Sequence, residues 1–223
     1  MLDSNAYSIL VPEYDAVYID IAKVASSSIK SRLASILNLP QENNDPHTTT
    51  FERPTTPDAS LPTAYPGLFS FAFVRNPWDR LVSCYRDKIL GQAKDFTAFN
   101  EDGVAHCLAG FDAFYADMSF EAFIAAVCSI DDDDADEHCR AQSAFITNVN
   151  GEISVDFVGR FETLSDDFNT VANKLRWSLG SPLPRLQSTP RTDYREYYNA
   201  ETTRLVEQRF LNDITLFDYQ FSR

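Results

Sequence analysis

The apolar positions of this chain fall in blocks, and the spacing switches between strand-like runs and helical periodicity. Residues 16–21, AVYIDI, read as a buried strand. A loop of small residues follows: Ala22, Lys23, Val24, Ala25 and Ser26. Ile29, Leu33, Ile36 and Leu37 then recur at helical spacing and predict a helix from near Ser27. The pattern repeats at FAFVRNPWDRLVSCYRDKI. Phe71, Phe73 and Val74 form a strand that ends on Arg75. Asn76 suits an N-cap and Pro77 the first helical position, and Leu81, Val82, Tyr85 and Ile89 share one helix face. Ser119 caps a further helix with Phe120, Phe123, Ile124 and Val127 inward. Residues 153–158 return to strand and lead to Arg160. A helix with Phe168, Val171 and Leu175 inward follows, and one from about Asn199 uses Val206 and Phe210. Residues 38–67, rich in Pro, Thr and Asn, show no period and read as a long surface loop with a short helix. Loops of that length are often functional.

Strands that alternate with helices predict an α/β fold with a central parallel sheet covered on both faces. Ligands of such sheets bind at the carboxyl ends of the strands. Here three strands lead to cations: Lys23, Arg75 and Arg160. A solvent-facing cation at a strand end is the ordinary reading for any one of them, and three together point to an anion.

Charge then limits which anion. The net charge is −14 over 223 residues, and residues 92–139 hold twelve acids against one base, Lys94. The remainder, with 18 bases and 21 acids, is close to neutral. This balance disfavours a long polyanion such as nucleic acid. Residues 131–134, four aspartates, read as a solvated, mobile loop, without the calcium-binding pattern of an EF-hand. Apolar content of 44% supports one globular domain over residues 1–223, with 92–150 a variable, acidic, acceptor-side segment. No run approaches a membrane span, and the first residues lack the pattern of a signal peptide, so the expected location is cytoplasmic. The four cysteines have no CxxC spacing and read as free thiols.

A strand, a small-residue loop with one lysine and a helix N-terminus together make a phosphate cradle. The Walker pattern is absent: the loop has no glycine, and Lys23 precedes the small residues. Ser26, Ser27 and Ser28 offer backbone N–H groups and hydroxyls, and Lys23 a point charge. The simpler alternative is a helix with a serine N-cap. Arg75, with Ser83 about two turns on, forms a second candidate site, because arginine binds phosphate with paired donors. Arg75 is expected outside the core. Two anion sites on neighbouring strand ends suit a ligand with two separated phosphates.

KVASSSIK and FVRNPWDRLVSCYRDK resemble the 5′-phosphosulfate loop and the 3′-phosphate motif of the carbohydrate sulfotransferase superfamily. More narrowly they resemble the branch with the HNK-1 and chondroitin sulfotransferases and many bacterial relatives. HCRAQS, VDFVGRFETL and the C-terminal REYYNAETTRLVEQRFLNDITLFDYQF resemble later blocks of that branch. At HCRAQS, relatives often read His-Trp-Arg-Pro-Gln. The resemblance implies a P-loop-NTPase-like three-layer sandwich. It also implies the donor 3′-phosphoadenosine-5′-phosphosulfate (PAPS), with adenosine 3′,5′-bisphosphate as product and no metal ion. Lys23 and Ala25 to Ser28 would surround the 5′-phosphosulfate, and Arg75 and Ser83 would hold the 3′-phosphate. Lys23 would stabilise charge growing on the leaving phosphate. Arg191, in the loop QSTPRTDY, is a further candidate for the bisphosphate.

The acceptor, a glycan or other hydroxyl-bearing molecule, needs a base, and histidine suits neutral pH. The chain has His47, His106 and His138. His47 stands before the 3′-phosphate strand, where related glycan sulfotransferases place a catalytic histidine. His138 and His106 follow, and a carboxylate is the other option. A nucleotide kinase is disfavoured by the missing Walker glycine. A non-catalytic nucleotide-binding or interaction module remains the rival reading.

Overall fold

The computed structural model describes residues 7–54, 65, 67–91, 99–178, 183 and 192–221. Two compact units emerge, each built from two stretches of chain. The first holds Met1–Arg75 and Gln142–Ser188, the second Asn76–Ala141 and Thr189–Arg223.

The first unit is a four-stranded sheet with helices. Its strands are β1 (Ser8–Val11), β2 (Ala16–Ile19), β3 (Phe69–Val74) and β4 (Phe157–Arg160), in that spatial order. β2, β3 and β4 are parallel, with Tyr18 opposite Phe71 and Val74 opposite Arg160. The sheet is therefore mostly parallel, and one edge departs from the expectation. β1 runs antiparallel to β2 through a three-residue turn opened by Pro12. β4 also starts later than its apolar pattern suggests, since Ile153 lies in an isolated bridge with Thr147.

Every residue of β2 and the last four of β3 are buried, as expected of strands covered on both faces. Phe71 and Phe73 point to one face, where Phe73 stacks on Phe168 and Phe71 meets Trp177 edge-on. Burying each such ring contributes about 2–3 kcal/mol. Gly159 of β4 makes room for this layer: a Cβ there would lie 2.4 Å from the Phe73 ring. The helices of this unit are α1 (Ser26–Ile36), the one-turn α4 (Ser143–Ile146) and α5 (Leu164–Leu175). The fold is α/β, a mostly parallel sheet flanked by helices, as the alternation of strands and helices implies, and it is P-loop-like, as the resemblance implies.

The second unit contains α2 (Pro77–Lys88), α3 (Phe120–Cys128), α6 (Ala200–Arg209) and α7 (Leu211–Leu216). Its core joins Trp78, Leu81, Tyr85, Phe120, Phe123 and Phe210. The caps are the expected ones. Asn76 accepts from Trp78 and Asp79 N–H, Ser119 from Ala122 N–H, and Asn199 forms a capping box with Thr202.

The aspartate run is more anchored than a solvated loop. Asp132 Oδ1 accepts from Ala141 N–H at 2.8 Å and from Arg209 Nη2 at 2.7 Å, while Asp131, Asp133 and Asp134 are exposed. All four cysteines are free thiols. Among the described residues no helix is long and apolar enough to cross a membrane.

Candidate functional site

The carboxyl ends of β2 and β3 are joined by one side chain. Arg75, the residue after β3, is 3% exposed, and its Nη1 donates to the Lys23 carbonyl at 2.9 Å. Its guanidinium also lies over the Phe161 ring, 4.1 Å from the centroid. The expectation of a strand-end arginine outside the core is therefore corrected. The Lys23 loop and Phe161 close over the residue that follows the strand. The Arg75 backbone is fixed as well. Gln142, fully buried, accepts the Arg75 N–H at Oε1 and donates from Nε2 to the Arg75 carbonyl, both at 2.8 Å. An amide side chain here does what a neighbouring strand would do. Sequence reasoning gave Gln142 no role, and the only signal was its place in the HCRAQS block.

The loop from β2 to α1 takes an unusual path. Lys23 and Ala25 both have positive φ, 71° and 73°. Non-glycine residues reach this region at a cost of roughly 1–3 kcal/mol each, and such strain collects at ligand clamps. Glycine would be the natural choice at both positions, and this loop has none. Alternating left-handed residues turn successive N–H groups toward one side, the geometry of an anion-binding nest. Ala25 is the N-cap of α1, with no side-chain cap. The alternative of a serine-capped helix is thereby excluded, since the serines begin at the first helical position. Ser28 and Ile29 N–H already bond to the Ala25 carbonyl, whereas Ser26 and Ser27 N–H, in the first turn, have no carbonyl within the helix. Ser26 and Ser28 are buried, and Ser27 and Lys23 half-buried.

The contrast with α2 is informative. There Asn76 already engages the first-turn N–H groups of Trp78 and Asp79. An anion near Arg75 would meet the guanidinium, not an open helix end. Ser83 lies half-buried on α2 in the second unit.

His47 sits in a single turn, Pro46–Thr48, that packs on α1. Asp45 pins this turn by accepting the His47 N–H at 2.9 Å. His47 Nε2 is 3.0 Å from Ser27 Oγ, and Nδ1 is 3.5 Å from Lys30 Nζ. Lys30 also pairs with Asp20 at 3.1 Å. An ammonium only donates, so Nδ1 accepts and the imidazole proton belongs on Nε2, facing Ser27. The structure thus brings His47 to the serine loop across 20 residues of sequence.

The other two histidines lie in the second unit. His106 is exposed. His138 Nδ1 lies 2.7 Å from Asp136 Oδ1. Burial pulls its pKa down, but hydrogen bonds to Asp136 and Cys107 outweigh that and raise it to about 9. The shift favours the charged imidazolium, which makes His138 the weaker candidate for a base. Arg160 ends β4 as expected, and its N–H donates to Asp167 Oδ2 at 2.7 Å. Arg191 lies outside the described residues.

The sequence profile of the sulfotransferase family matches residues 7–220, nearly the whole chain. The chain belongs to that family, and sulfuryl transfer is its general chemistry. No curated protein and no solved structure matches it.

Proposed function

We propose that this protein transfers a sulfuryl group from PAPS to a hydroxyl of a carbohydrate-type acceptor, releasing adenosine 3′,5′-bisphosphate. The observation that carries the reading is the Lys23–Ser28 loop: two left-handed residues, an N-cap with no side-chain hydrogen bond and His47 Nε2 3.0 Å from Ser27. In this reading Lys23 and Ala25 to Ser28 bind the 5′-phosphosulfate. Arg75 and Ser83 bind the 3′-phosphate, and Arg191 supplies a further contact. The two units act as one sulfotransferase domain, a view supported by a family match that runs through both.

Sulfuryl transfer resembles phosphoryl transfer, with in-line attack and a loose transition state. The acceptor oxygen forms a bond to sulfur as the bond from sulfur to the phosphate oxygen breaks. Charge grows on that phosphate oxygen, and Lys23 with the loop N–H groups is preorganised to stabilise it. His47 takes the acceptor proton. For this the acceptor hydroxyl replaces Ser27 at Nε2, and the imidazole keeps its proton on Nδ1. That tautomer is opposite to the one favoured by the Lys30 contact, so the 3.5 Å hydrogen bond must be released as the acceptor binds. None of these steps calls for a metal ion.

The test is a screen of neutral, cationic and acidic glycans with radiolabelled sulfate donor. Transfer to a glycan hydroxyl is expected. Donor binding with no transfer to any hydroxyl would instead indicate a non-catalytic nucleotide-binding module.

A further inference from the structure

The second unit gathers three side chains that no step above uses. One ligand atom each from Cys107, Asp136 and His138 lie within 4.8 Å of one another. The geometry points to a transition-metal site here, suited to zinc, with these three side chains as ligands.

Three observations support it. First, the donors are mixed. A thiolate, an imidazole and a carboxylate together suit Zn²⁺ or Co²⁺, whereas Mg²⁺ and Ca²⁺ prefer an all-oxygen shell. One thiolate and one carboxylate would neutralise the ion. Second, the segment is held before any ion arrives. His138 N–H donates to Asp136 Oδ1 at 3.0 Å. Arg80, 1% exposed, donates to the Glu137 and Arg140 carbonyls at 2.9 and 2.7 Å. Third, the site is neither sealed nor fully open. The side chains of Asp136 and His138 are 17% and 16% exposed, and Cys107 is half-buried. An ion can enter, and a fourth position remains for water or for Glu137, whose Oε1 is 4.0 Å from His138 Nδ1.

Binding replaces one contact. Two ligands at about 2.0 Å from a tetrahedral zinc stand roughly 3.3 Å apart. Asp136 Oδ1 and His138 Nδ1 are 2.7 Å apart and share a proton, so that proton must leave and the pair must open slightly. The Cys107 thiol gives up its proton to the ion as well. Lys88 is a cation that opposes binding, and it is paired with Asp87 at 3.4 Å.

The site belongs to the second unit and does not rest on the donor reading. The test is titration of the chelator-treated full chain with Co²⁺ and then Zn²⁺. We expect one Co²⁺ per chain, with the near-ultraviolet charge-transfer absorption of a thiolate ligand, displaced by Zn²⁺. Cys107→Ser should abolish that absorption, and Cys128→Ser should retain it. His138→Gln should weaken binding by more than about 100-fold, beyond the loss caused by removing an outer-shell partner. Zn²⁺ should also raise the Tm of the unaltered protein. No saturable absorption, its persistence in Cys107→Ser, or no Tm shift with Zn²⁺ would each overturn the site and leave a plain hydrogen-bonded cluster.

Discussion

Arg75 and Lys23, one at the end of β3 and the other after β2, are joined by a 2.9 Å hydrogen bond from a buried guanidinium to a backbone carbonyl. This bond makes a candidate ligand residue a structural one as well. Arg75→Ala should therefore lose on two counts. Stability should fall by about 2–4 kcal/mol, from a broken charged hydrogen bond and the space left against Phe161. Affinity for adenosine 3′,5′-bisphosphate should fall by one to two decades, since about 1.4 kcal/mol is tenfold. Arg75→Lys keeps the charge and loses the planar fork, so it should recover stability better than affinity. Denaturant melts and calorimetric titration of both variants separate the two roles. Unchanged bisphosphate affinity in folded Arg75→Ala would leave the residue structural only.

Ala25 gives a prediction of opposite sign. Its φ of 73° is a cost that glycine does not carry. Ala25→Gly should stabilise the protein, or at least not destabilise it, with a gain of up to about 1 kcal/mol. Ala25→Val, β-branched at the same φ, should be clearly destabilised. Thermal melts of the pair check this, and a less stable Ala25→Gly would contradict the strained conformation.

Gly159 tests the sheet. A methyl group there would meet Phe73 ring atoms at 2.4 and 2.6 Å. Gly159→Ala should cost about 1–3 kcal/mol through overpacking. Gly159→Ala/Phe73→Leu should recover part of it, because the two sites share the same space. A denaturant series on the single and double variants measures the coupling.

The four aspartates should not behave alike. Asp132→Ala removes the acceptor for Ala141 N–H and Arg209, and should cost about 1–2 kcal/mol, limited by solvent at this partly exposed pair. Alanine at Asp131, Asp133 or Asp134 should stay within about 0.5 kcal/mol of the parent. Equal effects at all four positions would return the run to a merely solvated loop.

The sequence made much of this legible where one local signal decided the outcome. Asn76–Pro77, Ser119 and Asn199 announced helix starts, and the inward faces at Phe123, Phe168 and Val206 followed from spacing alone. β1 carried no such signal. Its four residues, closed by Pro12, make sense only once paired with β2. The burial of Arg75 and Arg80 was equally hidden. A cation after a strand and one in a helix look solvent-facing until distant carbonyls, Lys23 for one and Glu137 and Arg140 for the other, arrive to accept from them. Gln142 shows the same limit, because its two hydrogen bonds to Arg75 span 67 residues. In the candidate site, the residue types of the loop could be read directly. The left-handed turns at Lys23 and Ala25 could not, since neither residue type favours them.

His47→Ala should lower turnover by roughly 10²–10⁴, the usual effect of losing a general base. Bisphosphate affinity should change by less than about tenfold, through loss of the contact to Ser27. His138→Ala should leave the base step intact, because its hydrogen bond to Asp136 favours the charged form of that histidine. Single-turnover rates and bisphosphate titration on each variant decide it. Near-native turnover in His47→Ala with loss in His138→Ala would make His138 the base, and near-native turnover in both would leave a carboxylate in that role or no base at all.

The most direct measurement is calorimetric titration of the unaltered protein with adenosine 3′,5′-bisphosphate, ATP and GTP in parallel. In the proposed reading the two separated phosphates of the bisphosphate meet the Lys23–Ser28 loop and Arg75, and a linear triphosphate offers no second, separate phosphate for Arg75. The account predicts one bisphosphate per chain, bound at least about ten times more tightly than either triphosphate, a difference of about 1.4 kcal/mol. Equal affinity for ATP, or no bisphosphate binding by the folded protein, would contradict it.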